Sequence, residues 1–172
     1  MNQDWIKQVL DEHEGTLLRY AYKLCGSVEI AQDAVQDTFL KLCKEDQKKI
    51  ESYLLKWLFT VCRNRVFEIL RKDKKMTALT DYDLETKHSE ISTPDSVAQL
   101  ADDKVTIRTL MQQLPAKEEE VLRLKFQNNL SYKEISEITQ LSVSNVGFIL
   151  HNVIKKLRGE FHKTNETAGG LA

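Results

Sequence analysis

Proline and glycine are scarce in this chain, two and six among 172 residues. So few turn-formers argue against an all-β protein with many tight turns. Long apolar runs are also missing. No window approaches the roughly 20 apolar residues that a bilayer-spanning helix needs. The start, Met1-Asn2-Gln3-Asp4-Trp5, lacks the basic-then-apolar pattern of a leader peptide. A cytoplasmic protein without direct membrane insertion is expected. Cys25, Cys43 and Cys62 lie 18 and 19 residues apart, an odd number with no Cys-x-x-Cys spacing. That speaks against both a disulfide framework and a zinc site. The four histidines, His13, His88, His151 and His162, are scattered and offer no metal pair. Each cysteine sits among apolar neighbours, so buried thiols are expected. The chain has no Gly-x-x-x-x-Gly-Lys loop, no His-Glu-x-x-His and no Gly-x-Ser-x-Gly turn. Its carboxylates are numerous, but none forms a pair isolated in an apolar setting. Neither an enzyme, a cofactor nor a small-molecule substrate is expected.

What is present is helical periodicity over a chain that is 41% hydrophobic and 30% charged. Ile6, Val9, Leu10, Leu17, Ala21 and Leu24 mark an amphipathic helix from about 3 to 25, stopped by Gly26-Ser27. Ile30, Ala34, Val35, Thr38, Phe39 and Leu42 mark a second, from about 28 to 44. After a polar loop at 44–49, a third runs from about 51 to 72 with Leu54, Trp57, Leu58, Val61, Cys62, Val66, Ile69 and Leu70 as its apolar face. Apolar residues then thin out to Pro94, too few to offset the entropy of ordering. A fourth helix is expected from near Asp95 to Leu114. Another starts at Pro115, which suits a first helical position, and stops at Asn128-Asn129. The fold class is therefore all-α, two small helical domains on an acidic flexible linker: 1–75, linker 76–94, 95–159, and a disordered tail 160–172.

The charges are segregated behind a net charge of −1. Residues 48–75 carry nine Lys or Arg against three acids, whereas 76–104 carry seven acids against Lys87 and Lys104. A basic block beside an acidic tether points to a polyanion-binding element. Residues 130–150 add the local grammar of a helix-turn-helix, a device that presents one helix to the DNA major groove. Ser131 and Glu134 form a capping box, and Ile135 and Ile138 a buried stripe. Thr139-Gln140 makes a short turn. Ser142 or Ser144 can cap a second helix carrying Val146, Ile149, Leu150 and Val153 at helical spacing.

Three segments in this order resemble a bacterial RNA polymerase sigma factor of the extracytoplasmic-function (ECF) group. They are Ala31–Leu40, then Trp57–Arg65 with Arg71-Lys72, then Leu114-Pro115 with the helix-turn-helix. The resemblance covers roughly residues 15–158. It implies binding to the RNA polymerase core enzyme through Asp33, Gln36, Asp37 and Phe39, with Phe39 as an apolar anchor. It implies recognition and opening of a −10 element of promoter DNA by the third helix, where Arg63, Arg65, Arg71, Lys72, Lys74 and Lys75 supply charge and Asn64 is a further DNA-binding residue. An extruded base would sit in the loop before Trp57, itself expected in the core. Arg63 and Arg65 are about 200° apart on a helix, so at most one points straight at DNA. Phosphate contacts imply affinity that falls steeply with salt. The second domain would read a −35 element through Ser131, Ser142, Ser144, Asn145, Phe148, His151 and Lys155. Relatives often carry Lys and Arg where this chain has Gly147 and Ile149, and Gly where it has Gln140. An anti-sigma factor is the further partner that the resemblance implies.

Two other classes fit parts of the chain. A helix-turn-helix regulator binding duplex DNA as a dimer has no use for the Ala31–Leu40 motif or the basic third helix. A protein-binding helical adaptor leaves the basic block unexplained.

Overall fold

The computed structural model describes residues 3–77 and 109–169, with side chains over 3–74 and 109–163, and every regular element among them is helical. They fall into two compact units, one on each side of the undescribed stretch. The expected acidic linker lies outside the described residues apart from Met76 and Thr77, which continue a helix; so does the helix start near Asp95. No described helix is long and apolar enough to cross a membrane.

The first unit comprises α1 (Gln3–Cys25), α2 (Val28–Leu42), the short α3 (Gln47–Ile50), a 3-10 turn at Glu51–Tyr53 and α4 (Leu54–Thr77). Gly26 ends α1 at φ 67°, a left-handed conformation that glycine adopts without a Cβ penalty, and its N–H donates to the Tyr22 carbonyl at 2.7 Å. Ser27 Oγ then caps α2 by accepting from the Ile30 N–H at 3.3 Å. The polar stretch expected as a loop at 44–49 holds the start of α3 instead. Asp46 accepts from the Lys48 N–H there at 3.1 Å, a local cap that periodicity does not register.

Val9, Leu17, Tyr20 and Ala21 of α1 form the core with Ala31, Ala34, Val35, Phe39 and Leu42 of α2 and Leu58, Phe59, Cys62 and Val66 of α4. The Tyr20 and Phe59 rings meet edge to face, centroids 4.9 Å apart. Truncating a buried leucine such as Leu58 to alanine costs about 2–5 kcal/mol, several times a surface ion pair. Thr38 is fully buried, and its hydroxyl donates to the Ala34 carbonyl at 2.7 Å. The expectation of three buried thiols holds only for Cys62; Cys25 and Cys43 are half-buried. Trp57 is likewise half-buried, because the buried stripe of α4 runs through Leu58, Cys62 and Val66, about 100° around the helix.

In the second unit residues 109–112 are helical and lead to α5 (Ala116–Phe126), α6 (Tyr132–Thr139) and α7 (Val143–Gly169). Pro115 is the cap of α5, at φ −53° and ψ 142°, one place before the first helical position. The capping box is present: Ser131 Oγ accepts from the Glu134 N–H at 3.2 Å, and the Ser131 N–H donates to Glu134 Oε2 at 2.8 Å. Gln140 occupies the turn at φ 61°, where a glycine would be unstrained. The Ser136 hydroxyl closes that turn on the Leu141 carbonyl at 2.6 Å, and Ser142 Oγ accepts from the Asn145 N–H at 3.1 Å. Ile135, Ile138, Val146, Ile149, Leu150 and Val153 are buried as their spacing requires. Where a disordered tail is expected from residue 160, α7 continues through Gly159 to Gly169; residues 170–172 lie outside the described residues. One interior glycine costs about 1 kcal/mol, no proline follows it, and Lys163 pairs with Glu160 at 3.1 Å.

Two outcomes follow. A Cβ built on Gly147 would lie 3.6 Å from Tyr132 Cε2, ordinary contact. Gly147→Ala therefore stabilises the second unit by about 0.5–1 kcal/mol in thermal melts. Burial pushes the Cys62 thiol from 9.0 up to about 12. Its stabilising contribution is full below pH 9 and is lost as pH rises towards 12, because the unfolded thiol ionises first. In the folded protein at pH 9 it resists alkylation while Cys43 reacts, and urea removes the difference.

Candidate nucleic-acid interface

Burying Leu58, Phe59, Cys62 and Val66 fixes the rotation of α4 and turns its opposite side to solvent. Asn64, Arg71 and Lys74 are exposed there. Cations and rings alternate along this side. Lys56 Nζ lies 5.2 Å from the centroid of the Tyr53 ring, and the Arg63 guanidinium 4.6 Å from that of Phe67. Arg71 Nε donates to the Phe67 carbonyl at 3.2 Å. Such a surface offers charge to phosphates and flat faces to unstacked bases. Tyr53 and Phe67 were absent from the sequence-based site. Their signal was an aromatic residue three or four positions from a cation, in Tyr53/Lys56 and Arg63/Phe67.

Arg65 does not join this face. Its Nε donates to Asp37 Oδ2 of α2 at 2.5 Å, and its Nη1 lies 3.1 Å from Glu68 Oε2. Lys72 completes the cluster at 2.9 Å from Glu68, and Lys72 and Arg65, in that order, lower the Glu68 pKa. Of the seven residues expected at the −10 element, Arg63, Asn64, Arg71 and Lys74 belong to the outer side of α4. Arg65 and Lys72 are held in ion pairs, and the Lys75 side chain lies outside the described residues. The segment before Trp57, expected to receive an extruded base, forms α3 and the 3-10 turn. Its first part borders an open groove of about 450 Å³ lined by Trp5, Ile6, Cys43 and Lys48, among others.

On α2, Asp33 and Gln36 are exposed on one stripe, and Asp37 at its margin is tied to Arg65. Phe39, expected as an anchor, is 6% exposed and belongs to the core. Leu40, 55% exposed, is the apolar residue of the outer stripe, seven positions after Asp33.

On α7, Ser144, Asn145, Phe148, His151 and Lys155 are all exposed on one side of the helix. Phe148 is 66% exposed and so is not a core residue. Ile149, by contrast, is buried, and Gly147 lies against Tyr132. Neither position belongs to the outward side of α7 that carries Ser144, Phe148 and His151. The hydroxyls of Ser131 and Ser142 serve as helix caps at the start of α6 and α7.

Residues 9–76 match the family described as Sigma-70 region 2, and residues 104–157 match Sigma-70, region 4. The chain belongs to the ECF sigma factors. These direct promoter-specific transcription. It is 28% identical over 155 residues to the ECF RNA polymerase sigma factor SigL of Mycobacterium tuberculosis, covering 89% of this chain and 86% of the relative. It is 25% identical over 158 residues to SigM of Bacillus subtilis, covering 92% and 96%. Its fold is similar to that of the sigma factor RpoE solved in complex with the anti-sigma factor NepR from Bartonella quintana. That likeness has a TM-score of 0.68 at 22% identity over 91% of this chain and 96% of the other. The dimeric-regulator and adaptor readings are not favoured, since neither accounts for a region 2 match across the first unit.

The Asp37–Arg65 pair is part-exposed, so its coupling is modest. A double-mutant cycle with Asp37→Ala and Arg65→Ala gives about 0.5–1 kcal/mol in urea unfolding.

Proposed function

We propose that this sigma factor divides its work by helix face. The outer stripe of α2 holds core polymerase, the outer side of α4 handles the opened −10 strand, and the outer side of α7 reads the −35 element. The observation that carries this reading is the separation of Asp33, Gln36 and Leu40 from the cation–aromatic side of α4, with core packing between them. Leu40 supplies the apolar anchor first sought in Phe39, and Asp33 and Gln36 supply polar partners. Asp37 and Arg65 set α2 against α4 and are positioning residues.

In the −10 role Arg71 and Lys74 neutralise phosphates, while Tyr53 and Phe67 offer shelves to unstacked bases. The groove beside Cys43 and Lys48 is a receiver for an extruded base. The sigma factor itself supplies binding and orientation, and the polymerase supplies the chemistry. An anti-sigma factor that covers the α2 stripe would silence the protein by competing with the polymerase; the RpoE of similar fold is solved in complex with the anti-sigma factor NepR. The division of the chain at 76–94 remains part of this proposal.

Asp33→Arg reverses a charge on the stripe without touching the core. It weakens binding to core polymerase about tenfold or more while leaving the thermal midpoint unchanged. Leu40→Asp has the same effect. Unchanged affinity in both variants, measured by titration of labelled protein with core enzyme, removes the assignment.

A further inference from the structure

We propose that this sigma factor reads its −35 element at A·T pairs, with Phe148 seated against a thymine methyl group, and not through basic contacts to guanine. This rests on the reading of α7 as the helix that enters the major groove. Its first twelve residues, 143–154, contain no lysine or arginine. The cations of α7 begin at Lys155, three turns in, where they suit phosphates more than base edges. Guanine presents two acceptors in the major groove, which Arg and Lys satisfy; nothing of that kind stands on the first twelve residues of α7.

Phe148 stands there instead, 66% exposed, in the middle of the outward side. Asn145 lies one turn before it and Asn152 one turn after, both exposed. An amide matches the acceptor and donor of adenine, and the thymine methyl is the apolar group of the major-groove floor. The amide–ring–amide order along one side of a helix therefore fits successive A·T pairs. The neighbours of Phe148 on this side are Ser144, Asn145, His151 and Asn152, all polar and exposed. They do not continue the ring into the broad apolar patch that a protein partner would cover. The side chain is thus matched to a small apolar group in polar surroundings.

The test uses holoenzyme assembled from core polymerase and the full chain. A promoter found by runoff transcription is randomised over its upstream element and selected for binding. Each thymine of the selected element is then replaced singly by deoxyuridine, which removes only the methyl group. The expected element is rich in A·T pairs, and at one thymine the loss of the methyl weakens wild-type binding about fourfold, the scale of one buried methyl. Phe148→Ala binds the thymine duplex about fourfold more weakly and no longer distinguishes deoxyuridine, whereas Phe148→Leu keeps part of the discrimination. An element fixed by G·C pairs, or deoxyuridine neutral at every position in the wild type, overturns the inference and leaves the sigma reading standing. So does a Phe148→Ala variant with unchanged DNA affinity, which would give the ring to a protein partner. If no promoter is used at the first step, the sigma reading fails, and the inference with it.

Discussion

The narrow apolar stripe on each long helix governs everything else in these two units. On α4 it is Leu58, Phe59, Cys62 and Val66; on α7 it is Val146, Leu150 and Val153. A stripe of this width fixes helix rotation, because turning α4 by one residue would expose Phe59 and bury a charged neighbour. Each large apolar side chain so displaced costs on the order of 2 kcal/mol, well above any single surface contact. The polar sides of both helices are therefore placed by the core behind them. Asn64, Arg71 and Lys74 project together because Leu58 and Val66 do not. Ser144, Phe148 and His151 project together for the same reason.

Electrostatics refines what packing has set. Residues 48–75 carry an excess of cations, yet Arg65 and Lys72 are engaged by Asp37 and Glu68 and contribute less to an external field than their number suggests. Arg65 instead links α4 to α2 through Asp37, while Lys72 pairs within α4. The proposed polymerase-binding stripe and the proposed DNA-binding side belong to different helices of one small core, and the Arg65–Asp37 contact ties the margins of those faces. The second unit is built more sparingly. Its turn accepts Gln140 at positive φ, and α7 accepts two interior glycines, Gly147 and Gly159, so local propensity is overridden by the burial of Ile135, Ile138 and Leu150.

Much of this was legible before the structure. The ends of α1, the Ser131–Glu134 box and the buried positions of α6 and α7 all follow from spacing and capping chemistry, which act within one or two turns. What escaped was decided over longer distances or by a competition between neighbours. Phe39 and Leu40 are both apolar and adjacent, and only the packing of α2 against α1 and α4 shows which of them faces inward. Arg65 and Asp37 are 28 residues apart, and nothing local announces their pairing. Trp57 reads as core by hydropathy, although its angle to Leu58 and Cys62 was open to calculation. Gly159 looked like a stop, but no proline follows it and α7 runs on to Gly169.

The most direct measurement is runoff transcription from a genomic promoter pool by core polymerase with and without this sigma factor. The account predicts new start sites, each preceded by the same pair of elements at one fixed spacing, and their loss with Asp33→Arg. A stable complex with core polymerase that leaves the start sites unchanged would contradict it.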